Sequence, residues 1–314
     1  LLTRYDTDIR RLAGPADVQI KKDHEKSGQQ NFRGKNMFSR FLKATAVAAL
    51  LLSPAVASAQ CMPAISDDNL VEKGKLLLSI NPTNPPQQFV DKDGNLRGLN
   101  VELAAELGKR ICMPIELVRM DFPGMIPAMN AGRIDGLNTG MFWNEERSKL
   151  MYTVPYGRQS VSVVVAPNSG TTYSKPEELL GKVSAVEVSS YQMNWLKKFS
   201  EERAAAGGKA VDIRTFPTAT NVVSALLAGQ VDNAFLVDSV ARDLVGKGKV
   251  KEALTGLGAA RTTLAFRNKA VADAIVKGLN EMRADGTYQA LFDKFGLTAL
   301  PPEQPLEIAG PGPA

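Results

Sequence analysis

Two spacings of apolar residues run through the chain. From Asn100 onward, Val101, Leu103, Ala104, Leu107 and Ile111 recur at the spacing of one helical face, with Glu102 and Glu106 early and Lys109 and Arg110 late, as the helix dipole favours. Ahead of this helix, residues 76–80 form a short apolar run of strand length, which ends at Pro82, Pro85 and Pro86 because proline cannot continue a ladder. Phe89 and Val90 resume the strand, Asp93-Gly94 is a turn, and residues 115–118 make the next strand. Strands and helices alternating in this order predict a parallel α/β sheet.

The densest pattern lies between residues 125 and 155. Met125, Ile126 and Met129 share a helical face, Ala131 and Gly132 stop the helix, and Ile134 starts a strand that runs out at Thr139 and Gly140. Ligands of open α/β sheets gather beyond the carboxyl ends of the strands, and there the chain places Thr139, Gly140, Phe142, Trp143 and Arg147. A second face made of Val222, Val223, Leu226 and Leu227 leads into Ala228-Gly229-Gln230-Val231-Asp232, the same Ala-Gly-polar-β-branched-Asp sequence 97 positions later. Two α/β units of similar plan would explain the recurrence; so would chance, since helix-Gly-strand junctions are common. Between the two patterns, residues 162–166 and 183–188 read as strands, 175–180 as a short helix begun by Ser174 and Pro176, and Ser189-Ser190-Tyr191 as the opening of another helix. Residues 197–209 read as a solvated, charge-rich linker, and the proline-rich tail 301–314 as disordered.

With 314 residues, 44% of them apolar and 23% charged, the chain allows two domains of ordinary size around a sizeable core. Its formal charge of +5 comes from one end: ten of the 38 Lys and Arg but only five of the 33 Asp and Glu lie in residues 1–59. The remainder is neutral and carries no nucleic-acid footprint. Arg40 and Lys43 precede an apolar run over 44–52, and Pro54 is followed by Ala57-Ser58-Ala59, which together read as a secretory signal over 37–59 cleaved after Ala59. A membrane anchor is the alternative, but the run is far shorter than the roughly 20 residues that span a bilayer. A lipoprotein signal fits poorly, because Gln60 stands before Cys61 where a small residue is expected. Residues 1–36, polar and ahead of Met37, are expected to be an overextended start rather than a domain, and they hold the one histidine, His24. A His-based nucleophile or metal site is thereby excluded from the exported part, and neither metal nor cofactor is expected. Cys61 and Cys112, carried to an oxidising periplasm, are expected to form a disulfide, with two buried free thiols as the alternative.

The run Asn84-Pro85-Pro86 through Gly94, Gly98 and Glu102, then residues 122–140, Glu146-Arg147, Pro155-Tyr156 and finally Ala284-Asp285-Gly286-Thr287-Tyr288, resembles the periplasmic solute-binding proteins of the polar amino-acid ABC-transporter family. The resemblance covers residues 67–297 in order. It implies a two-lobed periplasmic-binding-protein fold of type II, each lobe a central, mostly parallel sheet flanked by helices, with two hinge strands crossing near 157–160 and 259–262. Lobe 1 would hold residues 60–158 and 260–300, and lobe 2 residues 159–259. The expected protein is a periplasmic monomer that hands an amino acid or related small zwitterion to an ABC-transporter permease at the inner membrane.

The resemblance also assigns residues. Arg147 matches the family's carboxylate-gripping arginine, with a surface pair to Glu145 or Glu146 as the alternative. Asp238 matches the acidic residue that receives the ligand's ammonium, and would serve equally as a helix N-cap. Ser189 and Ser190 match a hydroxyl pair at a helix start, where capping alone is the other reading. Phe122 falls where a ring stacks on the bound side chain and Trp143 lies nearby; core packing is the ordinary fate of both. Asn84 stands where the family has a stacking tyrosine, and Phe142 where a Ser or Thr helps to hold the carboxylate. Thr139 and Gly140, at the strand end, complete the candidate ligand site.

A solute receptor, not an enzyme, is the expectation. Two other classes stay open: an enzyme on the same scaffold, such as a dehydratase of the cyclohexadienyl type, and an interaction protein that has kept the fold and lost its ligand. Catalysis would need a carboxyl or lysine with a shifted pKa in the cleft, and the sequence points to none. Loss of the ligand would need the cleft filled by its own side chains, for which Phe142 and Trp143 are candidates.

Overall fold

The computed structural model describes residues 61–313; the expected leader over 1–36 with His24, and the signal over 37–59 with its cleavage site, lie outside the described residues. The first strand, β1 (Leu76–Ile80), is buried at every position, Ser79 included, as befits a mostly apolar strand inside a parallel sheet. After it come β2 (Thr83–Asn84), β3 (Gln88–Val90) and β4 (Leu96–Arg97), which form a separate antiparallel sheet of three strands. Phe89 and Val90 therefore do not resume the first strand, because the prolines turn the chain out of the main sheet.

Helix α1 (Leu99–Arg110) buries Leu103, Ala104 and Leu107, and β5 (Ile115–Arg119) pairs with β1 in parallel. Next come α2 (Phe122–Asn130), β6 (Gly136–Phe142), the short α3 (Glu145–Leu150) and the long β7 (Tyr152–Val165). A second set follows: β8 (Val183–Glu187), α4 (Tyr191–Ala205), β9 (Asp212–Phe216), α5 (Ala219–Leu227), β10 (Asn233–Val237) and α6 (Asp238–Gly246). The chain returns through β11 (Lys251–Phe266) and ends with α7 (Lys269–Ala284), α8 (Thr287–Phe295) and β12 (Thr298–Ala299).

The main sheet runs β5-β1-β6-β11-β7-β10-β8-β9, with β12 added on β7. Parallel strands sit on both flanks, and β7 and β11 are antiparallel to each other between them. The last residues of β11 pair with β6, from Thr262 opposite Phe142 to Phe266 opposite Gly136. The last residues of β7 instead pair with β10, from Val161 opposite Val237 to Val164 opposite Ala234. Two long strands thus pass between two halves, each with its own core. Leu103, Leu107, Phe266, Ile275 and Phe292 anchor one core, beside a smaller cluster of Met125, Met129, Leu137 and Met151. Val163, Val164, Leu196, Val222 and Phe235 anchor the other. The fold is two-lobed α/β, with a mostly parallel sheet in each lobe.

Two expectations fail in the second half of the chain. Most of 197–209 is helix rather than linker, because Leu196 and Phe199 are buried on one face of α4 while Lys197 and Lys198 face solvent with Glu201 and Glu202 one turn on. The tail from Pro301 is ordered as well. Leu306 is buried, Asn280 and Arg283 donate to the carbonyls of Leu306 and Gln304 at 2.9 and 2.7 Å, and Ala309 bridges to Thr153. Proline removes donors but leaves carbonyls, and α7 and β7 supply their partners. Cys61 and Cys112 are joined in a disulfide with a Cα–Cα distance of 5.4 Å, which ties the N-terminal segment to the end of α1.

Candidate functional site

The carboxyl ends of β6, β8 and β10 meet at a cavity of about 360 Å³, counted with the space open to solvent. Asn84, Gln87, Phe122, Thr139, Gly140, Phe142 and Arg147 line one side, and Glu187, Ser190, Tyr191, Gln192 and Val237 the other. The first group is carried by the elements around β6 and the second by those around β8 and β10.

Arg147 reaches the cavity because Asn144 caps α3, its side chain accepting the Arg147 N–H at 2.8 Å, so that this short helix turns back under the strand end. Arg147 as a whole is 7% exposed. It donates to the carbonyl of Phe142 at 2.8 Å and to that of Ser189 at 3.2 Å, and lies 5.4 Å from the centre of the Phe122 ring. Burial draws its pKa down to about 10. The surface pair does not form, since Glu145 is held by Lys149 at 2.7 Å, and among the described residues no carboxylate lies within 4.0 Å of Arg147.

The floor next to Arg147 is backbone. Gly140 has φ of +67°, and a Cβ there would run into Oε1 of Gln87, so the position admits glycine on both counts. Thr139 is fixed from behind: its carbonyl accepts from Gln88 Nε2 at 3.0 Å, and its hydroxyl accepts from the Asn81 N–H at 3.3 Å. Phe142 both lines and narrows the cavity, because its ring stacks on Tyr191 at 4.7 Å and 11°. Across the cavity, Ser190 caps α4 by accepting the Met193 N–H at 3.0 Å, which leaves earlier amides of the helix free, and Ser189 contributes its carbonyl to Arg147.

Two predicted residues lie elsewhere. Trp143 points away from the cavity, donates from Nε1 to Thr153 Oγ1 at 3.1 Å and to the Ala309 carbonyl at 3.3 Å, and stacks under Arg261. Asp238 also faces away. Its Oδ1 accepts the Ser239 N–H at 2.8 Å, and its Oδ2 accepts from Arg242 at 3.0 Å and from Ser160 at 3.3 Å. It lines a different cleft, with Arg158, Gln159 and Thr298. Successive side chains at a strand end point to opposite sides, so Val237 takes the cavity wall and Asp238 is turned out.

The sequence reading missed Gln87, Tyr191, Gln192, Val237 and, above all, Glu187. This residue ends β8, is 6% exposed, and accepts from Asn81 Nδ2 at 2.9 Å. Burial pushes its carboxyl up to about 7, the Asn81 bond pulls the other way, and the charge of Asp121 adds to the rise. A charged residue closing the apolar run Val183, Ala185, Val186 at the carboxyl end of a strand was the available signal. A carboxyl with a shifted pKa is therefore present in the cleft after all.

Residues 76–298 match the family described as bacterial extracellular solute-binding proteins, family 3. The L-cystine-binding protein TcyJ of Escherichia coli (strain K12) is 28% identical over 255 residues, 78% of this chain and 92% of that protein. The histidine-binding periplasmic protein of the same strain is 30% identical over 233 residues, 69% of this chain and 86% of that one. Among solved structures, an ancestral arginine-binding protein bound to arginine is similar with a TM-score of 0.65 and 29% identity, over 71% of this chain and 98% of that chain. With matching sequence across most of its length and the same two-lobed architecture, the chain belongs to the bacterial extracellular solute-binding proteins of family 3.

Proposed function

We propose that the protein is exported to the periplasm and serves as the solute receptor of an ABC importer, closing its two lobes, 60–158 with 260–300 and 159–259, on an amino acid or related small polar solute. One observation carries this reading: a buried guanidinium faces the cavity with no carboxylate partner among the described residues. A buried charge is costly unless paired, and a guanidinium pairs best with a carboxylate, through two parallel hydrogen bonds. The ligand's carboxylate sits at Arg147, helped by the backbone at Gly140 and Ser190 in place of the hydroxyl that Phe142 lacks. Asp238 has no part in it. Phe122, Phe142 and Tyr191 enclose the rest of the solute, with Asn84 and Thr139 completing the lining. Because the two walls belong to different lobes, a ligand touching both favours closure by its differential contacts. Export agrees with the disulfide, which an oxidising compartment maintains.

The test is a thermal-shift panel of amino acids, amines and carboxylates on the periplasmic protein, since a ligand bound only by the folded form raises the melting temperature. A shift with amino acids that disappears in Arg147→Ala is the expected result. A flat panel overturns the reading.

An enzyme on the same scaffold is the second reading, and Glu187 is what favours it, because a buried carboxyl with a pKa near neutrality suits a general acid. Mass spectrometry of each panel ligand after incubation separates the two. Unchanged ligand supports the receptor, and multiple turnover to a dehydrated product supports the enzyme.

A further inference from the structure

We propose that Glu187, and not Asp238, receives the cationic group of the solute, so that the cavity selects amino carboxylates by an arginine on one lobe and a glutamate on the other. This rests on the cavity being the solute site. Asp238 is already committed to Arg242, Ser160 and the Ser239 amide, and it opens on another cleft. Val237, which takes the wall in its place, is apolar. A zwitterion with its carboxylate at Arg147 would therefore leave its ammonium facing no charge from β10.

Glu187 supplies that charge. Its Oε1 accepts one bond from Asn81, and among the described residues no donor meets Oε2 and no Lys or Arg lies within 4.0 Å. The ionisable groups around it are Asp121 ahead of α2, Arg147 of α3 and Tyr191 of α4. Asp121 disfavours its ionised form and burial does so more strongly, so the carboxylate calls for a cation that the protein itself does not place there. A primary or secondary ammonium can donate to Oε2 and settle the charge. A quaternary ammonium has no N–H to give, and an acid without an amine leaves the carboxyl protonated.

Calorimetry tests this on the protein recovered from the periplasm, with L-arginine, L-histidine and L-cystine as probes and the parent compared with Arg147→Ala, Glu187→Gln and Asp238→Asn. Glutamine keeps the acceptor for Asn81, and thermal melts establish that each variant is folded. Glu187→Gln is expected to weaken binding of the best probe by about 30-fold or more near pH 8, in the range of losing one member of a buried charged pair, while Asp238→Asn stays within about threefold. Parent affinity should also fall by up to about tenfold per pH unit below pH 7, where the probe must displace a proton from Glu187, and this slope should vanish in Glu187→Gln. If the parent binds a probe and loses it in Arg147→Ala but not in Glu187→Gln, the assignment of Glu187 is wrong and the receptor stands. If the parent binds none of the three and the thermal-shift panel is flat as well, the receptor reading fails and takes this inference with it. If another amino acid of the panel binds, that amino acid replaces the three as the probe and the same variants decide.

Discussion

Gly132 and Gly229 close the turns after α2 and α5 at φ of 67° and 68°, and three residues later Asp135 and Asp232 make the same pair of bonds. Asp135 donates its N–H to the Leu77 carbonyl and accepts the Leu77 N–H on Oδ2, both at 2.8 Å. Asp232 does the same with Val183, at 2.9 and 2.8 Å. Each aspartate thus locks the start of its strand to the neighbouring parallel strand, β1 in one lobe and β8 in the other. Beyond these junctions the lobes diverge. β6 runs for seven buried residues into the Asn144-capped turn that brings Arg147 inward, whereas β10 runs for five straight into α6, whose first carboxylate turns outward to Arg242. The repeated junction builds the scaffold twice, and the charge each lobe offers the cavity depends on what its strand ends run into. In the second lobe that charge comes from β8, one strand over.

The sharpest way to break this comparison is to remove the charges and see which lobe's strand end matters. Arg147→Ala should cost about 2 to 5 kcal/mol of binding for the best amino-acid ligand, as for truncating one partner of a buried hydrogen-bonded charge pair. Asp238→Asn should change it by less than about 0.7 kcal/mol, as for a partly exposed surface pair. Titration calorimetry of both variants decides, and equal losses would restore Asp238 to the site.

How much of this was legible beforehand differs between the two strand ends. The position of Thr139, Gly140 and Arg147 at the cavity was readable because the first two lie at and just past the middle of a strand and the third just beyond it, in a segment where helix, stop, strand and turn all carry clear local signals. Asp238 enters the sequence reading through the resemblance alone, and side chains alternate at a strand end, so the side it takes depends on the pairing of Val237 with Val161, which sets Val237 and not Asp238 on the cavity wall. For Glu187 the sequence offers only a charge at the end of an apolar run, whereas what makes the residue unusual is its burial and its bond to Asn81, which is 106 residues away in the other lobe. The linker and tail were misjudged for a related reason: charged and proline-rich stretches look solvated until their sparse apolar residues, Leu196, Phe199 and Leu306, find partners that composition does not reveal.

The same buried carboxylate should affect the fold as well as the ligand. Its pKa of about 7 lies above the ordinary 4.5, so between those values the folded state binds more protons than the unfolded one. Stability must then fall as pH rises from about 4.5 and level off above about 7, with at most about 3 kcal/mol lost to this group. In Glu187→Gln the loss disappears, so the ligand-free variant should be more stable than the parent near pH 8 and closely similar near pH 4.5. Denaturation midpoints at the two pH values measure it. A variant less stable than the parent at pH 8 would mean that the carboxylate is satisfied in the free protein.

The twin aspartates should differ in what they contribute, although their bonds match. Asp135 is 2% exposed and also accepts the Val71 N–H at 2.7 Å, so Asp135→Ala strands two amides in a dry setting and should cost about 2 to 3 kcal/mol. Asp232 is exposed, water can replace its carboxylate, and Asp232→Ala should cost about 1 kcal/mol or less. Urea titrations of the two variants compare them directly, and equal costs would show that burial does not set the difference.

The smallest effect sharpens the comparison most, because here the two junctions should agree. A Cβ added at Gly132 or at Gly229 meets nothing within 4 Å, so alanine at either position brings only the left-handed backbone penalty, about 1 kcal/mol. Burial and neighbours drop out of the comparison, and the two variants should shift the urea midpoint by the same amount to within about 0.3 kcal/mol, the usual scatter between independent sites. Gly140→Ala provides the contrast. Its φ is again +67°, but the new methyl collides with the Gln87 amide, which is hydrogen-bonded to Ser239 of the other lobe, so its cost should exceed that of the pair. If Gly140→Ala were no worse than the two junction variants, Gln87 would be free to move and the contact between the lobes at that point would not be rigid. If Gly132→Ala and Gly229→Ala differed by 1 kcal/mol or more, the junctions would share a sequence and a backbone angle but not a structural role.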